Sequence, residues 1–160
     1  MRRIEGTADV RLIECVNPVR GKWRIRWDVQ PGDNGAATYM EAEFPYKPTA
    51  EEIRQTIIGW YNQQTDEAIL SGFEYEGCMV WLSSENQFNY KAAYDLAVQT
   101  DGETLPVTFK LGTDEQPVYK VFDELSELRM FYTQAMQYIQ RMLAEGWIKK
   151  DALDLSLYDT

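Results

Sequence analysis

Residues 22–30, KWRIRWDVQ, constrain the fold more than any other part of the sequence. Apolar and charged side chains alternate there, with Trp23, Ile25, Trp27 and Val29 at one set of positions and Arg24, Arg26 and Asp28 at the other. Successive side chains of a β-strand point to opposite faces of its sheet. The alternation therefore predicts a strand with one buried face and one charged face.

The segments on either side of this strand also favour β-structure. Residues 8–16 and 37–46 are typical of strands, and turn-forming residues fill 17–21 and 31–35. Short polar turns join antiparallel neighbours, so we expect a three-stranded meander with one buried face.

From residue 49 onward the pattern changes to helices and short strands. Thr49 is the expected N-cap of a first helix, whose apolar stripe runs from Ile53 to Tyr61 and stops at the polar residues 62–64. Further elements are expected as follows: a short turn closed by Gly72 as a left-handed cap, a strand at 73–82, a helix at 84–99, a hairpin of 105–111 with 117–122, and a long helix from Asp123 to about Ala144 with Gly146 as its C-cap. We expect fraying past Leu155.

Together these elements predict one α+β domain over residues 1–160. Its β-rich part is 1–48, its mixed part is 49–160, and its long C-terminal helix packs on the sheet.

Charge and composition narrow the class of protein. A net charge of −10 argues against nucleic-acid binding, which depends on neutralising phosphates. Residues 1–26, however, hold seven basic and three acidic side chains, which permits a basic patch for an acidic partner or another copy of the chain. We expect no membrane span and no secretory signal, and two cysteines without a disulfide framework fit a reducing cytoplasm.

Few residues are candidates for catalysis. The sequence contains no histidine, no phosphate-binding glycine loop and no cysteine pair at zinc-finger spacing. We therefore expect no catalytic residue, no cofactor, no metal ligand and no enzymatic activity.

Three weaker patterns remain, each with a plain structural interpretation. The carboxylate pairs Glu41/Glu43 and Glu74/Glu76 suit glycoside hydrolysis if one pKa is raised, but acids are also ordinary on the solvent face of a strand. Cys78 lies among apolar residues that favour an unreactive thiol. Aromatic side chains bind sugars when exposed together, for which Tyr39, Tyr90 and Tyr94 are the candidates.

The stretch 72–90, GFEYEGCMVWLSSENQFNY, is interpreted as a strand-to-helix junction. A serine at 83 or 84 caps the helix, but capping does not explain the polarity of Asn86, Gln87 and Asn89. These three residues, with Arg24 and Arg26 of the charged strand face, are the candidate partner contacts.

Residues 65–150 resemble an uncharacterised domain from the tail regions of phages and prophages. The resemblance depends on GFEYEGCMVWLSSENQFNYKAAYDLA, then LPVTFKLG, PVYKVF and a terminal helix ending AEGWIKKDAL. It implies a non-enzymatic, virion-associated or tail-assembly protein, in the host cytoplasm or on the virion. No site residue follows from it.

Within that hypothesis the chain acts through protein contacts, with phage structural proteins or with itself, and strand 22–30 is a candidate exposed edge. Two other classes stay open: a carbohydrate-binding or glycan-processing module, and a small-ligand-binding domain with a cleft between sheet and helices.

Overall fold

A computed structural model describes residues 1–159 and shows an α+β fold, as the sequence predicts. The described chain has eight β-strands in antiparallel sheets and three α-helices. It divides into two compact units: unit 1 comprises Met1–Trp60 with residues 152–159, and unit 2 comprises Tyr61–Asp151. Whether residues 1–160 behave as one domain stays a prediction.

Unit 1 contains a four-stranded sheet in the spatial order β1-β4-β3-β2. The strands are β1 (Arg2–Thr7), β2 (Ile13–Asn17), β3 (Lys22–Pro31) and β4 (Ala36–Phe44). Strands β2, β3 and β4 form the predicted meander, and β1, which was not predicted, pairs with β4. Strand β3 lies between β2 and β4, so the prediction that residues 22–30 form an exposed edge is wrong.

The alternation that predicted β3 holds for its first half. Ile25 and Trp27 are buried, and the Trp27 ring meets that of Trp60 edge-on at a centroid distance of 6.1 Å. After Trp27 the register shifts, and Asp28 adopts a positive φ of 51°. This irregularity is a bulge, which bends the strand and ends the two-residue period.

Helix α1 (Ala50–Ser71) begins where the sequence predicts. Thr49 Oγ1 accepts a hydrogen bond from the Glu52 amide at 3.3 Å, and Glu52 Oε2 accepts one from the Thr49 amide at 2.8 Å. This reciprocal arrangement is a capping box. The helix runs for 22 residues, so the separate short turn predicted between residue 64 and Gly72 is wrong. The polar side chains of 62–64 are exposed on a continuous helix.

The predicted left-handed cap at Gly72 is also wrong, because Gly72 does not have a positive φ. Glycine fits this position instead because a neighbouring side chain leaves no room for a Cβ atom. The Tyr138 hydroxyl donates a hydrogen bond to the Ala68 carbonyl at 2.7 Å, and a Cβ on Gly72 would overlap that hydroxyl.

Unit 2 contains two hairpins and the two remaining helices. Strands β5 (Phe73–Tyr75) and β6 (Cys78–Val80) are joined by Glu76 and Gly77, whose φ values of 51° and 76° suit a tight two-residue turn. The other elements are α2 (Ser84–Gln99), β7 (Val107–Gly112), β8 (Pro117–Phe122) and α3 (Leu125–Asp151). The helix predicted at 84–99 and the hairpin predicted from 105 to 122 are therefore confirmed. The single strand predicted at 73–82 is wrong, because the positive φ values of Glu76 and Gly77 fold this segment into a hairpin.

Phe131 on α3 lies at the centre of the aromatic core of unit 2. Its ring centroid is 5.1 Å from those of Tyr75 and Tyr90, 5.2 Å from Phe122 and 5.5 Å from Phe109. These four rings come from β5, α2, β8 and β7. The long C-terminal helix thus packs against both hairpins, as the sequence predicts.

Helix α3 extends beyond its predicted end. Gly146 was expected to cap the helix, but it is a buried residue inside it, and the helix continues to Asp151. A Cβ on Gly146 would overlap Thr65 Oγ1 and lie 3.3 Å from Thr65 Cγ2. Thr65 is held by its own hydrogen bond to the Tyr61 carbonyl, so this glycine permits two helices to approach closely.

Replacing Gly146 tests this close approach. Alanine normally favours a helix over glycine by about 1 kcal/mol, but overpacking a fitted contact costs about 1–3 kcal/mol. We expect Gly146→Ala to lower the free energy of unfolding by about 1 kcal/mol. Gly59→Ala is the matched control, because a Cβ on this exposed glycine of α1 has no neighbour within 4 Å and should stabilise the helix. Equal stabilisation by both changes in urea denaturation would refute the steric role of Gly146.

The chain past Leu155 is ordered as far as Asp159, contrary to the predicted fraying. Leu155–Tyr158 form a short 3-10 helix whose N-cap, Asp154, accepts a hydrogen bond from the Ser156 amide. Tyr158 is buried within unit 1, and its hydroxyl donates to the Arg26 carbonyl at 2.8 Å. Thr160 lies outside the described residues.

Candidate functional site

Arg24 and Arg26, two of the candidate partner contacts, belong to a charged network on one face of the N-terminal sheet. The register of β3 and β4 places Arg24 opposite Glu43 and Arg26 opposite Glu41. Arg24 Nη2 donates to Glu43 Oε1 at 2.8 Å, Arg26 Nε to Glu41 Oε2 at 3.1 Å, and Arg26 Nη2 to Glu14 Oε1 at 2.6 Å. Arg26 is only 5% exposed, whereas the side chain of Arg24 is 23% exposed. Partner contact at these two residues stays a prediction.

Glu41 is the buried centre of this network. The Glu41 side chain is 3% exposed. Besides the hydrogen bond from Arg26, its Oε1 lies 3.4 Å from Arg2 Nη2 and its Oε2 lies 3.2 Å from Arg24 Nε. The Arg24 Nε–H is close but not aligned to donate, and it has no hydrogen-bond partner within residues 1–159. Three guanidinium groups thus surround one carboxylate, which fixes the mutual positions of β1, β3 and β4.

The surrounding cations act on the neighbouring acids as well. Hydrogen bonds from Lys22 and Arg24 lower the pKa of Glu43 to about 2, and the hydrogen bond from Arg26 lowers the pKa of Glu14. Burial by itself lowers the pKa of Arg26. The hydrogen bond and the charge of Glu14 outweigh this effect, and the pKa of Arg26 is therefore raised. A general acid needs a raised carboxyl pKa, and Glu43 has the opposite shift.

The second carboxylate pair, Glu74 and Glu76, is not a matched pair on one strand face. Glu74 lies on β5 opposite Met79, whereas Glu76 occupies the turn. Lys120 Nζ lies 3.0 Å from Glu76 Oε2 and 2.6 Å from Glu127 Oε1. Glu127 and Glu76 together raise the pKa of Lys120. These contacts connect the β5–β6 turn to β8 and α3.

Asn86 and Gln87 bond to the chain just before α2. Asn86 Nδ2 donates to the Trp81 carbonyl at 2.8 Å, and Gln87 Nε2 donates to the Leu82 carbonyl at 2.7 Å. The Ser83 hydroxyl accepts from the Asn86 amide and is the N-cap. Local hydrogen bonding therefore explains the polarity of two of the three candidates, while Asn89 is exposed.

The tyrosines proposed as a sugar platform do not form one. Tyr39 and Tyr90 are buried, and Tyr94 is half-buried and stacked on Tyr132 at 4.8 Å between ring centroids. Cys78 packs against the core of unit 2, and both it and Cys15 are free thiols. Tyr39, Tyr90 and Tyr94 therefore do not form an exposed group.

Strand β8 is a surface that the sequence did not single out. Three of its apolar side chains are exposed: 42% for Val118, 66% for Tyr119 and 43% for Val121, whereas Phe122 at its end is buried. It belongs to a two-stranded sheet, and within residues 1–159 its only strand partner is β7. We call the unpaired side of this strand the β8 edge.

The hydrogen-bond pattern shows which backbone groups the β8 edge presents. The Thr113 amide donates to the Gln116 carbonyl at 3.3 Å across the hairpin turn, and the register from Gly112 opposite Pro117 onward has no shift. Hydrogen-bonded and non-hydrogen-bonded pairs alternate in an antiparallel ladder. Tyr119 and Val121 therefore direct their N–H and C=O groups outward, and Pro117 directs its C=O outward.

Acidic residues flank the β8 edge at both ends. Asp114 and Glu115 precede the strand, Asp123 and Glu124 follow it, and all four are exposed. Unit 2 as a whole has fifteen acidic and seven basic side chains between residues 61 and 151. The edge is apolar in its middle and negative at its ends.

Comparison with known proteins finds no family model, no curated protein and no solved structure that matches this chain. None of the helices in residues 1–159 has both the length and the apolar character needed to cross a bilayer. In the same range, no three side chains of the metal-binding residue types are grouped closely enough to hold an ion.

Proposed function

We propose that this chain is a non-enzymatic protein that acts through protein contacts, in the tail region of a phage or prophage. The tail-region assignment depends on the resemblance of residues 65–150. The contact itself is proposed at the β8 edge, where an extended segment of another protein would add a strand to the β7–β8 sheet.

The observation that carries this proposal is the combination of outward backbone groups and exposed apolar side chains on one strand. Exposed, unpaired edges are templates for strand pairing, and folded proteins usually protect them with charges, bulges or a covering element. On β8, Pro117 lacks an N–H, and the one charged residue of the strand, Lys120, is held by Glu76 and Glu127. Tyr119 and Val121 have exposed side chains, and their N–H and C=O groups point away from β7. An edge of this kind is suited to a partner strand.

The acidic residues at both ends of the β8 edge indicate which kind of strand would bind there. Two copies pairing antiparallel through β8 would place Asp114 and Glu115 of one copy near Asp123 and Glu124 of the other, and like charges facing each other are unfavourable. An extended segment with apolar residues at its centre and lysine or arginine at its ends complements the same surface. The proposed partner is therefore a basic strand of a different protein.

A peptide titration tests the β8 edge. The probe is Lys-Lys-Val-Thr-Val-Thr-Val-Lys-Lys, and its matched control replaces every lysine by glutamate. We expect the basic peptide to bind at least about tenfold more tightly, with an affinity that falls as salt is raised, because exposed charges are screened. Equal affinity for both peptides would contradict the proposal.

Variants of Val121 locate the binding site. Val121→Pro removes an outward N–H without removing a hydrogen bond to β7, so it should weaken binding about tenfold with little loss of stability. Val121→Thr keeps the N–H and the β-branched shape and should bind like the parent chain. Two results would contradict the proposal that a basic strand of a different protein binds here. One is unchanged peptide binding by Val121→Pro. The other is a dimer of the parent chain that Val121→Pro dissociates.

The genes beside the coding sequence test the tail-region assignment separately. We expect neighbouring genes for tail or base-plate components. A metabolic operon on both sides would contradict the assignment and leave the peptide result unaffected.

A further inference from the structure

A cleft of about 410 Å³ opens on unit 2 where β6 ends, where α2 begins and where the β7–β8 turn projects. Its volume falls within the range of small-molecule sites, about 300–1,000 Å³. It is separate from the exposed backbone groups of the β8 edge. The side chains that line it are Met79, Trp81, Asn86, Lys110, Thr113 and Asp114.

Trp81 is exposed in this cleft for a clear structural reason. The chain leaving β6 places Val80 and Leu82 in the core, at 0% and 1% exposure, so the intervening Trp81 points away from it. Its side chain is 44% exposed. Packing in the core does not account for the exposed part of this ring, and a flat aromatic ring that is partly exposed to solvent is suited to stacking on a ligand.

The polar groups around Trp81 include both donors and acceptors. Asn86 Nδ2 is engaged by the Trp81 carbonyl, which orients the amide and leaves Oδ1 as an acceptor. Thr113 Oγ1 accepts from the Gln116 amide at 3.1 Å, so its hydroxyl proton is available to donate. Lys110 Nζ lies 2.8 Å from Asp114 Oδ1, and each keeps further hydrogen-bonding capacity.

The charge balance of the cleft favours a neutral ligand. Lys110 and Asp114 cancel each other, and among residues 1–159 no other charged side chain lines the cleft. A phosphate-bearing ligand would also meet the net negative charge of unit 2. An apolar ring face combined with clustered donors and acceptors matches a polyhydroxyl ring, which has one C–H face and several hydroxyl groups at its rim.

We propose that this cleft binds a neutral saccharide, with one sugar ring stacked on Trp81 and its hydroxyl groups bonded to Asn86, Lys110 and Asp114. This site differs from the tyrosines and carboxylate pairs that the sequence suggested. It requires no catalytic step, and it uses none of the outward backbone groups of the β8 edge, although Asp114 belongs both to this cleft and to the acidic flank of that edge.

Nuclear magnetic resonance of the ¹⁵N-labelled full chain tests this proposal. The probes are the methyl glycosides of glucose, galactose, mannose and N-acetylglucosamine, titrated into the millimolar range because a single-ring contact of this kind is weak. We expect at least one glycoside to produce a saturable shift of the Trp81 indole N–H signal. No saturable shift of that signal with any of the four would overturn the proposal.

Three variants assign the binding. The variants are read at the side-chain amide signals of Asn86, which lines the same cleft and is kept in all three. Trp81→Ala should abolish saturation of these signals, whereas Trp147→Ala, which removes another exposed tryptophan, should leave it unchanged. Asp114→Asn changes a residue whose side chain is 97% exposed, so folding is not at risk, and it should weaken binding about fivefold or more. The assignment of this cleft would be overturned by any one of three results: saturation that persists in Trp81→Ala, saturation that is lost in Trp147→Ala, or an affinity that Asp114→Asn does not change.

Discussion

Glu41→Met is expected to lower the free energy of unfolding of unit 1 by about 3–5 kcal/mol. The change removes the buried carboxylate, which is 3% exposed, and leaves Arg26 in an interior position with only Glu14 as an acidic partner. A buried charge whose partner is removed keeps the cost of its desolvation without the compensating attraction. Native-state hydrogen exchange at amides of β3 and β4 measures this loss directly.

The double variant separates the ion pair from simple packing. In Arg26→Met/Glu41→Met both buried charges are replaced by apolar side chains, so a large part of the lost stability should return. Glu5→Met is the control, because Glu5 is an exposed acid on β1 and its loss should change stability by less than about 0.5 kcal/mol. A Glu41→Met variant as stable as the Glu5→Met control would refute the structural role of the network.

Phe131→Ala is expected to lower the free energy of unfolding of unit 2 by about 3–5 kcal/mol. The side chain is fully buried, and its ring is within 5.5 Å, centroid to centroid, of four aromatic rings from four different elements. Truncation removes the ring contacts and leaves a cavity that rigid neighbours fill only in part.

Met130→Ala is the matched control for this change. Met130 precedes Phe131 on the same helix but is 56% exposed, so its truncation should alter stability by less than about 0.5 kcal/mol. Hydrogen exchange at amides of α2 and β7 reports the result. Similar losses for the two variants would show that α3 does not organise the core of unit 2 around Phe131.

The sequence predicts best where side-chain periodicity and capping agree. The alternation in residues 22–27, the N-cap at Thr49 and the serine cap before α2 each depend on local chemistry, and each of them forms where expected. Strand β1 was missed because RRIEGT contains a single large apolar residue, Ile4, and its position is set by pairing with β4. Local patterns do not report pairing between distant segments.

The predictions of a left-handed cap at Gly72 and of a helix end at Gly146 were wrong for a related reason, although α1 does end directly before Gly72. Gly72 and Gly146 look like helix terminators in sequence, where glycine often ends a helix. In the fold each one makes room for another part of unit 2, the Tyr138 hydroxyl and Thr65 respectively. Close approach between elements depends on tertiary packing, which the neighbouring sequence does not encode.

For the candidate surfaces too, the sequence predicted the local position of the residues but not their tertiary contacts. The sequence placed Arg24, Arg26, Asn86 and Gln87 correctly on a strand face and at a helix start, but it did not indicate that their hydrogen bonds are made inside the chain. The hairpin 105–122 was predicted, yet the free edge of β8 depends on the absence of a further strand beside it within residues 1–159. That property belongs to the sheet rather than to the strand's own residues.

Hydrogen exchange at the β8 edge is the most direct test of the proposed protein contact. With the basic nine-residue peptide bound, the outward amides of Tyr119 and Val121 should gain protection, while the Val118 and Lys120 amides, already bonded to β7, should change little. This alternating footprint is the signature of an added strand. Protection of all four amides alike, or of none of them while the peptide is bound, would contradict strand addition at β8.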